Sequence, residues 1–168
     1  MVARYLADDR LHPNHKNKSR NGGVSKSIIS KKASLKLAIE YLIEDQNLRS
    51  RCQNNLIGSS NFDISINQAT LVLEDRIRKK ANPTKNLVGE SLIGYAFNED
   101  LSKTVLRVAS NDSDDQRGFT QIFRGIVPAF RNKTHHHILD NISREEAMSV
   151  CGFIDILLRV VDNSEKVK

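Results

Sequence analysis

Tryptophan is absent from this 168-residue chain, and aromatic residues make up only 5% of it. Any core must therefore be mostly aliphatic, which suits helices that interlock leucine, isoleucine and valine. Cysteine is scarce: Cys52 and Cys151 are too few and too far apart in sequence to form a disulfide framework. Cys151 falls on an apolar helical face, where a reduced, buried thiol is expected. The chain has no run of about 18 apolar residues of the kind a membrane-spanning helix needs. Its first residues do not read as a secretory leader either, since Arg4, Asp8, Asp9 and Arg10 stand where an apolar stretch would be. These absences predict a soluble, cytoplasmic protein with no membrane partner.

What the chain does have is an unevenly placed positive charge. The 26 Lys and Arg exceed the 20 Asp and Glu by six. All of that excess lies in residues 1–33, where Arg4, Arg10, Lys16, Lys18, Arg20, Lys26, Lys31 and Lys32 face only Asp8 and Asp9. The remainder balances, so the folded part is not a basic nucleic-acid platform by composition. Residues 1–33 are also rich in Asn, Ser and Gly and read as a flexible basic leader. Such a leader serves as an electrostatic arm for RNA or another polyanion, as a solubilising tail, or as a segment that docks on a partner. Residues 34–162 read as one helical domain and 163–168 as a polar tail.

Five helical segments are predicted. Ser34 to about Asn47 carries Leu35, Ala38, Ile39, Leu42 and Ile43 at helical spacing. Phe62 to Lys80 carries Ile66, Ala69, Leu73 and Ile77 on one stripe and stops before Asn82-Pro83, with Glu74, Asp75, Arg76 and Arg78 outside the stripe as a salt-bridging, solvated face. Glu90 to Asn98 is short, and Leu101 to Val108 suits a short strand or extended loop. The clearest pattern is Phe119, Ile122, Phe123, Ile126, Val127 and Phe130, one apolar face of a helix preceded by an Asn111–Asp115 run of cap candidates. Pro128 lies inside it and is expected to kink its last turn. A last helix opens on Ser143-Arg144-Glu145-Glu146, a capping box, and continues with Ala147, Val150, Cys151, Ile154, Leu157, Leu158 and Val161. Long amphipathic helices without a convincing sheet predict an all-α bundle of four to five helices.

At the end of the Phe119–Phe130 helix stands Arg131-Asn132-Lys133-Thr134-His135-His136-His137. Arginine grips phosphate oxygens through a charge-assisted fork, and histidine exchanges protons near neutral pH. Together they are the minimum needed to cut an RNA backbone without a metal. In an unbroken helix Arg131 would share a face with His135, whereas a helix ending near Lys133 would let Arg131 converge with His136. Spacing alone leaves both open.

The pattern of Arg, a polar residue and a downstream His resembles the signature of the HEPN superfamily of helical-bundle proteins, many of them metal-independent ribonucleases of toxin–antitoxin, abortive-infection and CRISPR systems. More closely, Ala69 to Arg78, Gly89 to Phe97, Gln116-Arg117-Gly118-Phe119, Phe123-Arg124-Gly125 and Arg131-Asn132 are similar to the Ymh-type family of hypothetical bacterial proteins. The resemblance spans about residues 60 to 162. In its register the family histidine falls on His136, while Lys133 stands where the family usually has Pro and His135 where it usually has Ala. The resemblance implies a HEPN-like bundle in which His136 is the general base or acid, Arg131 binds the scissile phosphate, and Asn132 orients the histidine or contacts the phosphate. His135, His137, Arg124 and Arg117 would be auxiliary, with no metal or other cofactor. It also implies a homodimer with two motifs facing one cleft, and an antitoxin or other regulatory protein as partner.

Blander readings stand beside this one. The motif residues also suit a helix end, where they would satisfy free carbonyls and the dipole. Consecutive histidines do not readily ligate one ion, so a metal site is not expected. Arg117 and Arg124 lie off the apolar stripe and either extend a phosphate-binding surface or are ordinary surface charges. Gly89, Gly118 and Gly125 do not form a phosphate loop and are expected to permit close helix packing. The function expected from sequence is therefore RNA cleavage, with a non-catalytic RNA- or nucleotide-binding module, or a protein-interaction subunit, as alternatives.

Overall fold

Helices form where the apolar periodicity is strongest. The computed structural model describes residues 21–58, 61–108, 112–131 and 142–168. Among them are six helices: α1 (Asn21–Leu42), α2 (Gln46–Gly58), α3 (Asp63–Ala81), α4 (Gly89–Ala96), α5 (Ser113–Arg131) and α6 (Arg144–Asn163). Two short strands, β1 (Leu106–Arg107) and β2 (Glu165–Lys166), pair antiparallel, with Leu106 opposite Lys166 and Arg107 opposite Glu165. The all-α bundle expected from sequence is the architecture, with one helix more than the spacing predicts.

α3 is the axis of the bundle. It packs against α2, α4, α5 and α6. Its buried side chains therefore spread around the helix, from Ile66, Ala69 and Leu73 to Val72 and Ile77. It ends where the sequence says it must: Asn82 adopts the left-handed conformation, φ 48°, and its N–H bonds back to the Arg78 carbonyl at 2.8 Å, just before Pro83. The core is aliphatic throughout apart from Phe97 and Phe123, whose rings stack with centroids 4.4 Å apart. α6 opens with the capping box read from sequence. Ser143 Oγ accepts from the Glu146 N–H at 3.1 Å and the Ser143 N–H donates to Glu146 Oε2 at 2.8 Å. Those bonds from Ser143 hold the Glu146 carboxyl below the usual carboxylate range. No helix among the described residues is long and apolar enough to cross a membrane.

Three findings depart from the sequence reading. First, α1 begins at Asn21, thirteen residues before the expected Ser34, so the second part of the basic leader is helical; residues 1–20 lie outside the described residues. Second, the segment expected to end near Asn47 is two helices, because Asp45 interrupts it. Asp45 Oδ1 accepts the Leu48 N–H at 2.8 Å and starts α2, which was missed because only Leu48, Cys52 and Leu56 are apolar and buried in a polar sequence. Third, Glu74 is buried, not solvated: its Oε2 lies 3.4 Å from the Gly89 N–H and 3.8 Å from the Arg78 guanidinium. Asp75, by contrast, pairs with Lys79 on the surface.

Asp45 does more than cap. Its N–H donates to Asp155 of α6 at 2.8 Å, and its Oδ2 takes Arg76 of α3 at 2.6 Å. Arg76 in turn reaches Asp162 of α6. One carboxylate thus ties the α1–α2 turn to both central helices. Cys52 and Cys151 also converge, both on the Ser65 carbonyl, with Cys52 Sγ at 3.3 Å. They are free and buried, and the neighbouring Cys52 thiol together with burial pushes the Cys151 thiol far up, so it is unreactive as a nucleophile.

Partial burial acts to raise the Asp45 pKa, but the Leu48 N–H and the Arg76 guanidinium outweigh it and hold the carboxyl below the usual range. A lowered folded-state pKa means stability that is fully present above the ordinary carboxylate range and lost as pH falls through the folded value. Asp45→Ala is expected to cost roughly 2 kcal/mol at neutral pH, from the lost cap and the half-unpaired Arg76. Asp45→Asn should flatten the loss of stability on acidification, as read from urea midpoints across acidic pH. An unchanged acid profile in Asp45→Asn would show that this carboxylate does not tie the turn down.

Candidate functional site

The helix that leads to the basic motif is built from both ends of its own sequence. Asp112 accepts the Asp114 N–H on Oδ1 at 2.7 Å and its carbonyl takes the Gln116 N–H at 2.9 Å, so the acidic run caps α5 as expected. Asp114 and Asp115 sit in the first turn, where the helix dipole favours negative charge. Phe123, Ile126 and Val127 are buried against the core, but Ile122, expected on that face, is 38% exposed. α5 runs past Pro128, which cannot donate to the Arg124 carbonyl, and ends at Arg131.

Gln116 fixes how α5 meets the rest of the fold, and the sequence reading took it only as part of a resemblance. It is fully buried. Its Oε1 accepts the Val108 N–H at 3.0 Å, and its Nε2 donates to the Asn98 carbonyl and Thr104 Oγ1, both at 3.1 Å. Thr104 Oγ1 also donates to the Leu106 carbonyl at 2.8 Å. A buried amide with its donors and acceptor satisfied locks the α4–β1 loop and β1 onto the first turn of α5. A glutamine directly after a pair of acids carries no periodic signal, so only the partners reveal this role.

Arg131 is the last residue of α5, whereas Asn132, His135, His136 and His137 lie outside the described residues. Arg117 and Arg124 are placed. Arg117 lies 3.1 Å from Asp114 and Arg124 lies 3.6 Å from Glu99, both pairs substantially exposed. Such surface pairs are worth at most about 1 kcal/mol and give way to a stronger anion. Seven residues are close to two helical turns, so Arg117, Arg124 and Arg131 start from one side of α5 at intervals of about 10.5 Å.

The glycines next to two of these arginines correct the sequence reading. A Cβ at Gly118 or Gly125 would meet nothing within 4 Å, so close packing among the described residues does not explain either of them. Each is a helix-interior glycine that costs about 1 kcal/mol relative to alanine. Gly89 has a different reason: it is buried with φ 56°, a left-handed conformation that favours glycine, at the start of α4. α5 thus carries Arg117-Gly118 and Arg124-Gly125, with Arg131 at the same heptad spacing, a row of cations along one side of which the first two are each followed by glycine. Among the described residues no three His, Cys, Asp or Glu side chains gather as a metal site.

A family model described as "Protein of unknown function (Hypoth_ymh)" matches residues 44–161. The match begins in the α1–α2 turn, so it takes in α2 and the Asp45 anchor as well as the Gln116 to Gly125 stretch and Arg131. No curated protein and no solved structure is significantly similar to the chain. Since the matched stretch runs from the turn before α2 almost to the end of α6, the chain belongs to the Hypoth_Ymh family of proteins of unknown function.

Proposed function

We propose that this protein is a HEPN-like, metal-independent endoribonuclease of a defence or toxin–antitoxin type, acting in the cytoplasm. The observation that carries the reading is the row of Arg117, Arg124 and Arg131 along α5, which leads to Asn132 and His136. Phosphates in a single RNA strand repeat along the chain, and a row of guanidiniums offers matching charge without base readout. Gly118 and Gly125 leave the helix surface bare beside the first two arginines, which lets a sugar–phosphate backbone approach closely.

The chemistry follows from the residue types. His136 takes the proton of a ribose 2′-hydroxyl, and the 2′-oxygen attacks the adjacent phosphorus. Negative charge builds on the non-bridging oxygens, where Arg131 stabilises it and Asn132 holds the geometry. The P–O5′ bond breaks as the 5′-oxygen gains a proton from a protonated histidine. The products are a 2′,3′-cyclic phosphate and a 5′-hydroxyl. In a two-fold pair, the histidine of one copy acts as base and that of the other as acid, with His135 and His137 alongside. An antitoxin or other regulatory protein would hold such an activity in check.

Full-length protein incubated with total RNA in EDTA is expected to release fragments with cyclic-phosphate ends. Arg131→Ala and His136→Ala should each reduce the rate by about 10²-fold or more. RNA that is bound in a salt-dependent way but left intact would replace this reading with a non-catalytic RNA-binding module, and cleavage undiminished in His136→Ala would overturn the assignment of that residue. The glycines supply a separate check. Gly118→Ala and Gly125→Ala are each expected to stabilise the fold by about 1 kcal/mol while weakening RNA binding. Stabilisation with unaltered RNA affinity would mean that the backbone does not pass over α5.

A further inference from the structure

A cavity of about 350 Å³ lies between the first two turns of α5 and the last two turns of α6. Much of its lining is apolar. Val108 is buried there, Phe119 and Val160 are partly buried against the core, and Ile156 is 47% exposed. That volume holds a ligand of nucleoside size, and covering Ile156 and Phe119 would stabilise its binding.

Three polar side chains complete the lining: Asp115, Arg159 and Asn163. Asp115 and Phe119 are four residues apart on α5, and Arg159 and Asn163 four apart on α6, so each pair shares one helix face. Arg159 is held in place from behind. Its Nη1 lies 2.9 Å from Glu44 and 3.1 Å from Asp155, a carboxylate only 1% exposed. Both closest approaches are through Nη1, which leaves the Nε and Nη2 edge of the fork to a ligand. The Asp115 carboxylate is exposed and pairs with no cation among the described residues.

An acceptor-only carboxylate and a donor-only fork thus line one apolar cavity without closing on each other. A ligand that joins them presents two donors to Asp115 and two acceptors to Arg159, on a flat body that lies against Phe119. Guanine has this pattern. Its N1–H and 2-amino group are adjacent donors that one carboxylate accepts together, and its O6 and N7 are adjacent acceptors that an arginine fork reaches. Adenine would turn an acceptor, N1, toward Asp115, and the pyrimidines have no counterpart of N7. The aromatic ring of Phe119 adds stacking that any base would gain, so selectivity comes from the two charged groups.

We infer that the α5–α6 cavity is a guanine-binding site, with Asp115 and Arg159 reading opposite edges of the base. The base is carried either by a free nucleotide or by an RNA strand. The inference stands on this cavity and does not require that the protein cleave RNA.

Calorimetric titration of the full chain with GMP, IMP and AMP tests it. GMP is expected to bind, with AMP and IMP, which lacks the 2-amino group, each about tenfold weaker or more. Asp115→Asn should erase that preference while the protein keeps a cooperative thermal transition. Arg159→Lys, which keeps a cation beside Asp155, should remove the penalty that 7-deaza-GMP suffers in the wild type. A 2′-O-methyl oligouridine with one guanine has no 2′-hydroxyl to attack and separates the two sources. Tighter binding than GMP places the guanine in a strand, and equal or weaker binding assigns the site to a free nucleotide. Failure of both guanine probes to bind, equal binding of GMP and AMP, or a preference that survives in Asp115→Asn would overturn the inference. Binding of free leucine in place of GMP would make the cavity an amino-acid site instead.

Discussion

The fold depends on burying one helix on several sides at once. α3 is packed by α2, α4, α5 and α6, and its small residues Ala69 and Ala81 lie among Ile66, Leu73 and Ile77, where they let neighbours approach closely. An aliphatic axis of this kind explains why the chain manages with so few aromatic residues. It also limits where charge can go. Two of the polar side chains that α3 buries are tied down: Thr70 Oγ1 donates to the Ile66 carbonyl, and Glu74 faces the N–H of Gly89 at the start of α4. Arg76 leaves the core and joins the α1–α2 turn to α6. The position of α5, and so of Arg131 at its end, is then set by Gln116 and the Phe97–Phe123 stack.

Much of this was legible in the sequence because it was periodic or stereotyped. The end of α3 at Asn82-Pro83, the capping box at Ser143 and Glu146, and the strong apolar face of α5 each follow from local rules that tertiary context did not override. α2 was not legible, since three buried side chains on a thirteen-residue helix do not stand out from a polar sequence. The early start of α1 was hidden for the same reason: a Ser- and Lys-rich stretch reads as a tail unless something packs on it. Glu74 and Gln116 illustrate a different limit. Whether a polar side chain is buried depends on partners far away in sequence, here Gly89, Asn98 and Val108, and no local pattern encodes them.

The α5 glycines are the most instructive departure. Read from sequence, a glycine in a helix suggests a close neighbour within the fold. Gly118 and Gly125 have none among the described residues. Two helix-interior glycines retained at a stability cost, each following an arginine, make the surface of α5 a feature that folding alone does not need. It is the reason Arg117 and Arg124 enter the proposed phosphate-binding row with Arg131. The residues with the proposed acid–base role, His136 above all, are assigned by their sequence register and the family resemblance.

A phosphate backbone lying along α5 is the central proposal, and salt dependence tests it most directly. Binding of a single-stranded RNA should weaken with salt, and the logarithmic slope should fall by about 0.7 in each of Arg117→Ala and Arg124→Ala, the loss of one phosphate contact apiece. Slopes unchanged from wild type in both variants would contradict it.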